Sequence, residues 1–188
     1  MRWWRPDGLS FGIAVAIGLA ISTGYPAGFV AAMAMPVACL IPESRKAAFR
    51  NAVGYYSAGL WPMIPGAQRY LGQSSSLLVA TLIWLCSSIL LSLPWTLAWT
   101  QHSRLHYLWR VPLANLAAVV PPLALIGFIS PVSGAGYLFP GLGWIGLAAA
   151  TLLPGVVLSL SCRNAVVPRT LLHVALTAEI ALGVGSHC

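Results

Sequence analysis

The sequence predicts an all-α fold: one polytopic transmembrane helical bundle over residues 1–188, with about seven spans, a cytoplasmic N-terminus and a C-terminus outside. Three observations predict it. Hydrophobic residues make up 59% of the chain and charged ones 7%, whereas a soluble domain devotes about a quarter of its residues to charge. Apolar segments recur from end to end instead of forming one isolated anchor, and the mean hydropathy is +0.83. Finally, the basic residues collect in every second loop, on one side of the expected membrane, in the manner that membrane insertion imposes.

Taken in order, Arg2 and Arg5 flank Trp3 and Trp4, and the apolar stretch Leu9 to Ile21 follows as a signal anchor. The turn Thr23-Gly24-Tyr25-Pro26 leads to a second segment, Ala27 to Ile41, which is short for about 30 Å of hydrocarbon. Beyond the charged patch Glu43, Arg45, Lys46 and Arg50 lies a third segment, 52–64. Pro62, Pro65, Tyr55, Tyr56 and Trp61 leave it two readings, spanning or interfacial. The fourth segment, Leu77 to Ala98, is free of charge throughout. A fifth runs from Val111 to Ile129, with a kink expected at Pro121-Pro122. The sixth spans Ile145 to Leu160, and the seventh Thr170 to Gly185. On this parity nine basic residues face inward and only Arg69 faces outward.

Between the fifth and sixth segments the stretch Ser130 to Trp144 interrupts the apolar pattern with glycines and two prolines. A shaped, non-helical, outward-facing connection is expected, because glycine permits unusual backbone angles and proline interrupts helix. Its candidate functional residues are Gly134, Gly136, Tyr137, Phe139, Pro140, Gly141, Gly143 and Trp144. Gly141, Gly143 and Gly146 match G-x-G-x-x-G, but neither a βαβ unit nor an acidic residue some 20 positions on accompanies them. Close backbone packing is the expected use.

Glu179 is the candidate intramembrane polar site, since a carboxylate inside a span is costly. It is read either as functional or as wetted near the outer surface. His102 and His106 stand four apart without a third ligand, so a titratable interfacial pair is expected in preference to a metal site. The cysteines at 39, 86, 162 and 188 form neither a zinc pattern nor a disulfide framework. Gly8 with Gly12 and Gly24 with Gly28 are G-x-x-x-G pairs, ordinarily used in helix packing. No catalytic set, metal or cofactor is expected, nor is direct nucleic-acid binding, because no basic run exceeds Arg45-Lys46.

Two blocks, Gly54 to Thr100 with GYYSAGLWPMIPGAQRY and LLSLPWTLAWT, and Val120 to Ala150 with the LFPGLGW loop, carry a family resemblance. They resemble the membrane region of the TraB-type conjugal transfer proteins of Ti-type conjugative plasmids, which are in turn similar to apolipoprotein N-acyltransferases. The resemblance implies an integral component of plasmid conjugal transfer in a bacterial inner membrane, with the bilayer and other conjugal transfer proteins as partners. It also implies a C-terminal carbon-nitrogen hydrolase domain with a Glu-Lys-Cys set, which needs about 200 more residues. That domain is expected to be absent here, because Lys46 lies on the wrong side and Cys188 is the last residue. The chain is therefore expected to be a truncated or frameshifted member, a separate subunit or a fragment. The alternative functions are the membrane half of an N-acyltransferase-like enzyme and a small transporter.

Overall fold

A computed structural model describes residues 6–71, 77–101 and 104–160, and within them every regular element is helical. The helices are α1 (Pro6–Ser22), α2 (Pro26–Ala32), α3 (Met35–Leu40), α4 (Arg45–Gly59), α5 (Met63–Leu71) and α6 (Leu77–Ala98). They are followed by α7 (Tyr107–Val119), α8 (Ala135–Leu138) and α9 (Gly143–Leu160). Short 3-10 turns at Arg104–His106, Leu123–Leu125 and Pro131–Gly134 complete the order.

Helix α4 is the axis of the bundle, with α1 and α6 packed against it and α3 across its start. Ser44 starts it: the residue is extended, and its Oγ accepts from the Ala47 N–H at 3.1 Å, satisfying a first-turn donor. Arg45, Lys46 and Arg50 therefore belong to the first turns of α4, not to the loop expected ahead of segment 52–64. Past these exposed cations, Asn51, Tyr55 and Tyr56 of α4 are buried and bonded inside the bundle. Asn51 Nδ2 donates to Ser10 Oγ and to the Ala38 carbonyl, both at 3.0 Å. Trp95 Nε1 on α6 donates to the Tyr56 hydroxyl at 2.8 Å, and Trp84 Nε1 donates to the Ser57 carbonyl at 2.9 Å. A central helix that buries polar side chains does not show the continuous apolar run by which a span is recognised, so its limits differ from those expected for segment 52–64.

Two further segments differ from expectation, both at prolines. Segment 27–41 is not one helix, because a turn at Met33 and Ala34 separates α2 from α3. Pro36 has no N–H to offer the Ala32 carbonyl, so a continuous helix would lose a bond there. The fifth segment does not kink at its paired prolines but ends before them: Val120 is extended at φ −101° and ψ 137°. A residue preceding proline is driven out of the helical region by the following ring.

Segment 77–98 is found as α6 with unchanged limits, and segment 145–160 as α9. These two are the described helices long and apolar enough to cross a membrane. The count of seven spans is not supported. Helix α4 has 15 residues and α7 has 13, lengths of roughly 22 and 20 Å against about 30 Å of hydrocarbon. The seventh segment and Glu179 lie outside the described residues.

Helix α6 hides its hydroxyls within itself. Thr81, Ser88, Ser92 and Thr96 each donate to the carbonyl four residues earlier, at 2.6–2.8 Å. Its outer face is apolar, with Leu78 66% and Leu97 68% exposed, and α9 continues the band with Ile145 at 72%.

The bundle has two distinct ends. At one, Trp99 Nε1 donates to the Pro42 carbonyl at 2.8 Å, and the Tyr107 hydroxyl donates to the Leu40 carbonyl at 3.4 Å. Arg110 Nη1 donates there to the Leu97 and Trp99 carbonyls at 3.4 and 3.3 Å, where a cation meets the negative end of α6. The basic stretches at 45–50 and 104–110 therefore gather at this end. At the other, Trp61 Nε1 donates to Ser22 Oγ at 3.2 Å, and α5 carries Arg69 along the start of α6.

Candidate functional site

The glycine-rich connection lies at the end of the bundle opposite the basic stretches, fixed at its base by a buried bond. Tyr55, fully buried on α4, donates its hydroxyl to the Ile129 carbonyl at 2.6 Å. From Ser130 the backbone turns into the 3-10 turn Pro131–Gly134, where Ser133 Oγ donates to the Ser130 carbonyl, and then into α8. The first half of the connection is thus helical, contrary to the non-helical segment expected. Pro131 causes this: it occupies the first position of its turn, where no N–H is required and its φ suits a helix.

The glycines divide into two kinds. A Cβ at Gly134 would collide with the Phe29 carbonyl of α2 and come within 3.0 Å of Met33 Cγ, so this glycine is a contact surface. Beside it the Tyr137 ring stacks on Phe29 with centroids 5.4 Å apart. Gly141 and Gly143 instead hold φ of +80° and +50°, the left-handed region that glycine adopts freely, and they turn the chain from α8 into α9. Gly146 closes the turn, its Cβ position 2.6 Å from Phe139 Cβ. The G-x-G-x-x-G letters therefore describe two turn glycines and one packing glycine, with no β-strand among the described residues.

An open cavity of about 590 Å³ lies within this connection. Of the candidate residues, Gly136, Phe139, Gly141, Gly143 and Trp144 line it, while Gly134 and Tyr137 face α2 and hold the connection in place. Pro140 is exposed and does not line it. Three lining residues, Val132, Ala135 and Leu147, were not singled out from the sequence. An apolar residue in an apolar chain carries no signal of its own, although Leu147 stands one turn after Gly143 on α9. Trp144 is 85% exposed at the rim. The lining holds no acid, base, thiol or hydroxyl, so the cavity can seat an apolar group against backbone but supplies no proton transfer or nucleophile.

The remaining candidates are dispersed. His106 closes the turn ahead of α7, at the basic end, with its ring edge-on to Trp109, and His102 lies outside the described residues. Among the described residues no group of three or more His, Cys, Asp or Glu is placed to hold a metal. Gly24 turns the chain at φ +76° and Gly28 packs on the Ala20 carbonyl, whereas positions 8 and 12 face open space.

The chain resembles known proteins over most of its length. It is 32% identical over 137 residues to the probable conjugal transfer protein TraB of Sinorhizobium fredii, a match covering 73% of the chain. The chain is similar to TraB. A second TraB, from Agrobacterium fabrum, is 28% identical over 155 residues, covering 74% of the chain. The chain spans about a third of the length of these curated TraB relatives, 35% and 36% respectively. No family model matches, and no solved structure does. The further likeness to apolipoprotein N-acyltransferases finds no support in these matches.

Proposed function

We propose that this chain is a membrane-integral component of plasmid conjugal transfer that places its glycine-rich connection on the outer face of a bacterial inner membrane. The observation that carries the reading is the similarity to two conjugal transfer proteins across nearly three quarters of the chain. The membrane part is supported by the length of α6 and α9 and by the large apolar side chains that they leave exposed. Helices α6 and α9 are the full crossings. The shorter α1, α4 and α7 pass through the bundle beside them, and the basic end faces the cytoplasm. Other transfer proteins are the partners this role calls for.

Deleting the reading frame from a conjugative plasmid that carries it, and measuring transfer per donor cell with and without a complementing copy, tests the role. Transfer is expected to fall sharply and to return on complementation; unchanged transfer overturns the reading. Topology is tested separately with an export-dependent reporter enzyme. Fused after Gly141 it is expected to be active, and after Glu43 inactive. The reverse pattern would invert the topology, and activity at neither point would remove the membrane from the proposal.

A further inference from the structure

Exposed aromatic and aliphatic side chains are sorted along the bundle. Beyond the first turn of α9, the exposed side chains of α6 and α9 are aliphatic, with Cys86 the exception. Tyr25, Trp61, Tyr70, Tyr137 and Trp144 are exposed at the end that carries the glycine-rich connection. Among the described residues, Trp109 on α7 is the one exposed Tyr or Trp toward the basic end.

Contacts between distant segments set the five at one level. Trp61 Nε1 donates to Ser22 Oγ at 3.2 Å, three residues before Tyr25. Beside them Ile21, Gly59 and Ile129 meet, a Cβ at Gly59 falling 2.6 Å from Ile129 Cδ1 and 3.3 Å from Ile21 Cγ2. Tyr137 stacks on Phe29, four residues after Tyr25, and Trp144 opens α9. Helix α5, which carries Tyr70, packs on α6. Its nine residues reach roughly 14 Å, less than half of about 30 Å of hydrocarbon. No residue of α5 is buried. Met63, Ile64 and Ala67 are half-buried, with Met63 packed on the core, while Arg69 and Tyr70 stand outward, Tyr70 at 90% exposure.

The rings stand on separate parts of this end: α5 packs on α6, whereas α8 packs on α2 and α9. Anchor residues of a protein interface cluster in one patch; a planar boundary instead selects one level on every element that crosses it. An indole or phenol, with an apolar body and a polar tip, is best placed where hydrocarbon meets headgroups. Aliphatic side chains belong in the hydrocarbon beyond, and they are what α6 and α9 expose there. We propose that Tyr25, Trp61, Tyr70, Tyr137 and Trp144 form a ring seated at the headgroup level of the outer leaflet. Helix α5 then lies in the membrane surface, and the glycine-rich connection is held at the lipid boundary, not out in the water. The proposal rests on the membrane reading above and names the phospholipid surface as the partner of this end.

Photocrosslinking of the full wild-type chain in phosphatidylcholine vesicles tests it with two probes. One is phosphatidylcholine carrying a diazirine next to the acyl carbonyl, and the other carries the diazirine at the end of the acyl chain. Labelled positions are mapped by mass spectrometry. The carbonyl-side probe is expected to label segments 61–70 and 137–144 several-fold more than the chain-end probe does. The chain-end probe is expected to prevail by a similar factor at 82–90 of α6. Chain-end labelling of 82–90 with no labelling of the aromatic segments by either probe overturns the ring and leaves the membrane reading standing. Stronger chain-end labelling of the aromatic segments also overturns it, because α5 would then lie deep in the hydrocarbon. So does labelling confined to one of the two aromatic segments, since a ring at one level requires both. If neither probe labels 82–90, the membrane reading falls, and the ring with it.

Discussion

Trp95→Ala is expected to lower the unfolding free energy by about 3–5 kcal/mol, the usual cost of emptying a buried aromatic site. Trp95 is completely buried between α4 and α6, and its indole N–H is bonded to the Tyr56 hydroxyl. Removing it opens a cavity at the main contact of the bundle and leaves the Tyr56 oxygen without its donor. Trp95→Phe keeps most of the volume and forfeits the bond, so a loss of about 1 kcal/mol is expected. Thermal unfolding of the full chain in one detergent measures both. A chain of this size loses roughly 2–4 °C of midpoint per kcal/mol, so the two variants are readily distinguished. Trp144→Ala is the control: that ring is 85% exposed and should hardly move the midpoint. Equal midpoints for Trp95→Ala and Trp144→Ala would show that α4 and α6 do not meet as described.

Gly134→Val is the second large effect, and it acts on the candidate site. The added side chain would be driven into the Phe29 carbonyl, which is backbone and cannot rotate away as a side-chain tip can. Overpacking of this kind costs about 1–3 kcal/mol or more. The expected consequence is local: α8 lifts from α2, the stacking of Tyr137 on Phe29 is lost, and the turn into α9 is freed. Limited proteolysis of the connection should accelerate markedly in Gly134→Val. Gly136→Ala should leave it unchanged, because that position has nothing within 4 Å. Equal proteolysis of the two variants would contradict the docking of the connection on α2. If the connection also serves in transfer, Gly134→Val should lower transfer frequency while Gly136→Ala does not.

The structure and the comparisons agree with the sequence most closely where chemistry is simplest. Segment 77–98 was readable to the residue, because an uncharged run of that length has few alternatives to a helix. The separation of basic stretches from the glycine-rich connection was also readable. The bonds from Trp99 to Pro42 and from Tyr107 to Leu40 join the basic stretches at one end, while those from Trp61 to Ser22 and from Tyr55 to Ile129 tie down the other. The TraB resemblance, carried by the WPMIPG and LFPGLGW blocks, found its counterpart in the two curated relatives.

Less was readable in α4. Its mixture of cations, tyrosines and small residues resembles an interfacial segment until Asn51, Tyr55 and Tyr56 are seen to find partners on α1, α3, α6 and the Ile129 backbone. Sequence windows weigh each helix by its own hydropathy. A polar side chain bonded to a neighbouring helix counts there as a polar group, although in the fold it has found a partner.

By itself, then, the sequence determined the all-helical class, the limits of α6, the placement of positive charge and the resemblance to conjugal transfer proteins. Each follows from local composition or from short runs of residues. Only the tertiary structure decided that α4 is the axis, that segment 27–41 breaks in two and that Gly134 is a contact while Gly141 and Gly143 are turns. Those outcomes depend on which backbone atoms approach one another across the bundle, and residues far apart in the chain carry no mark of that until they are packed.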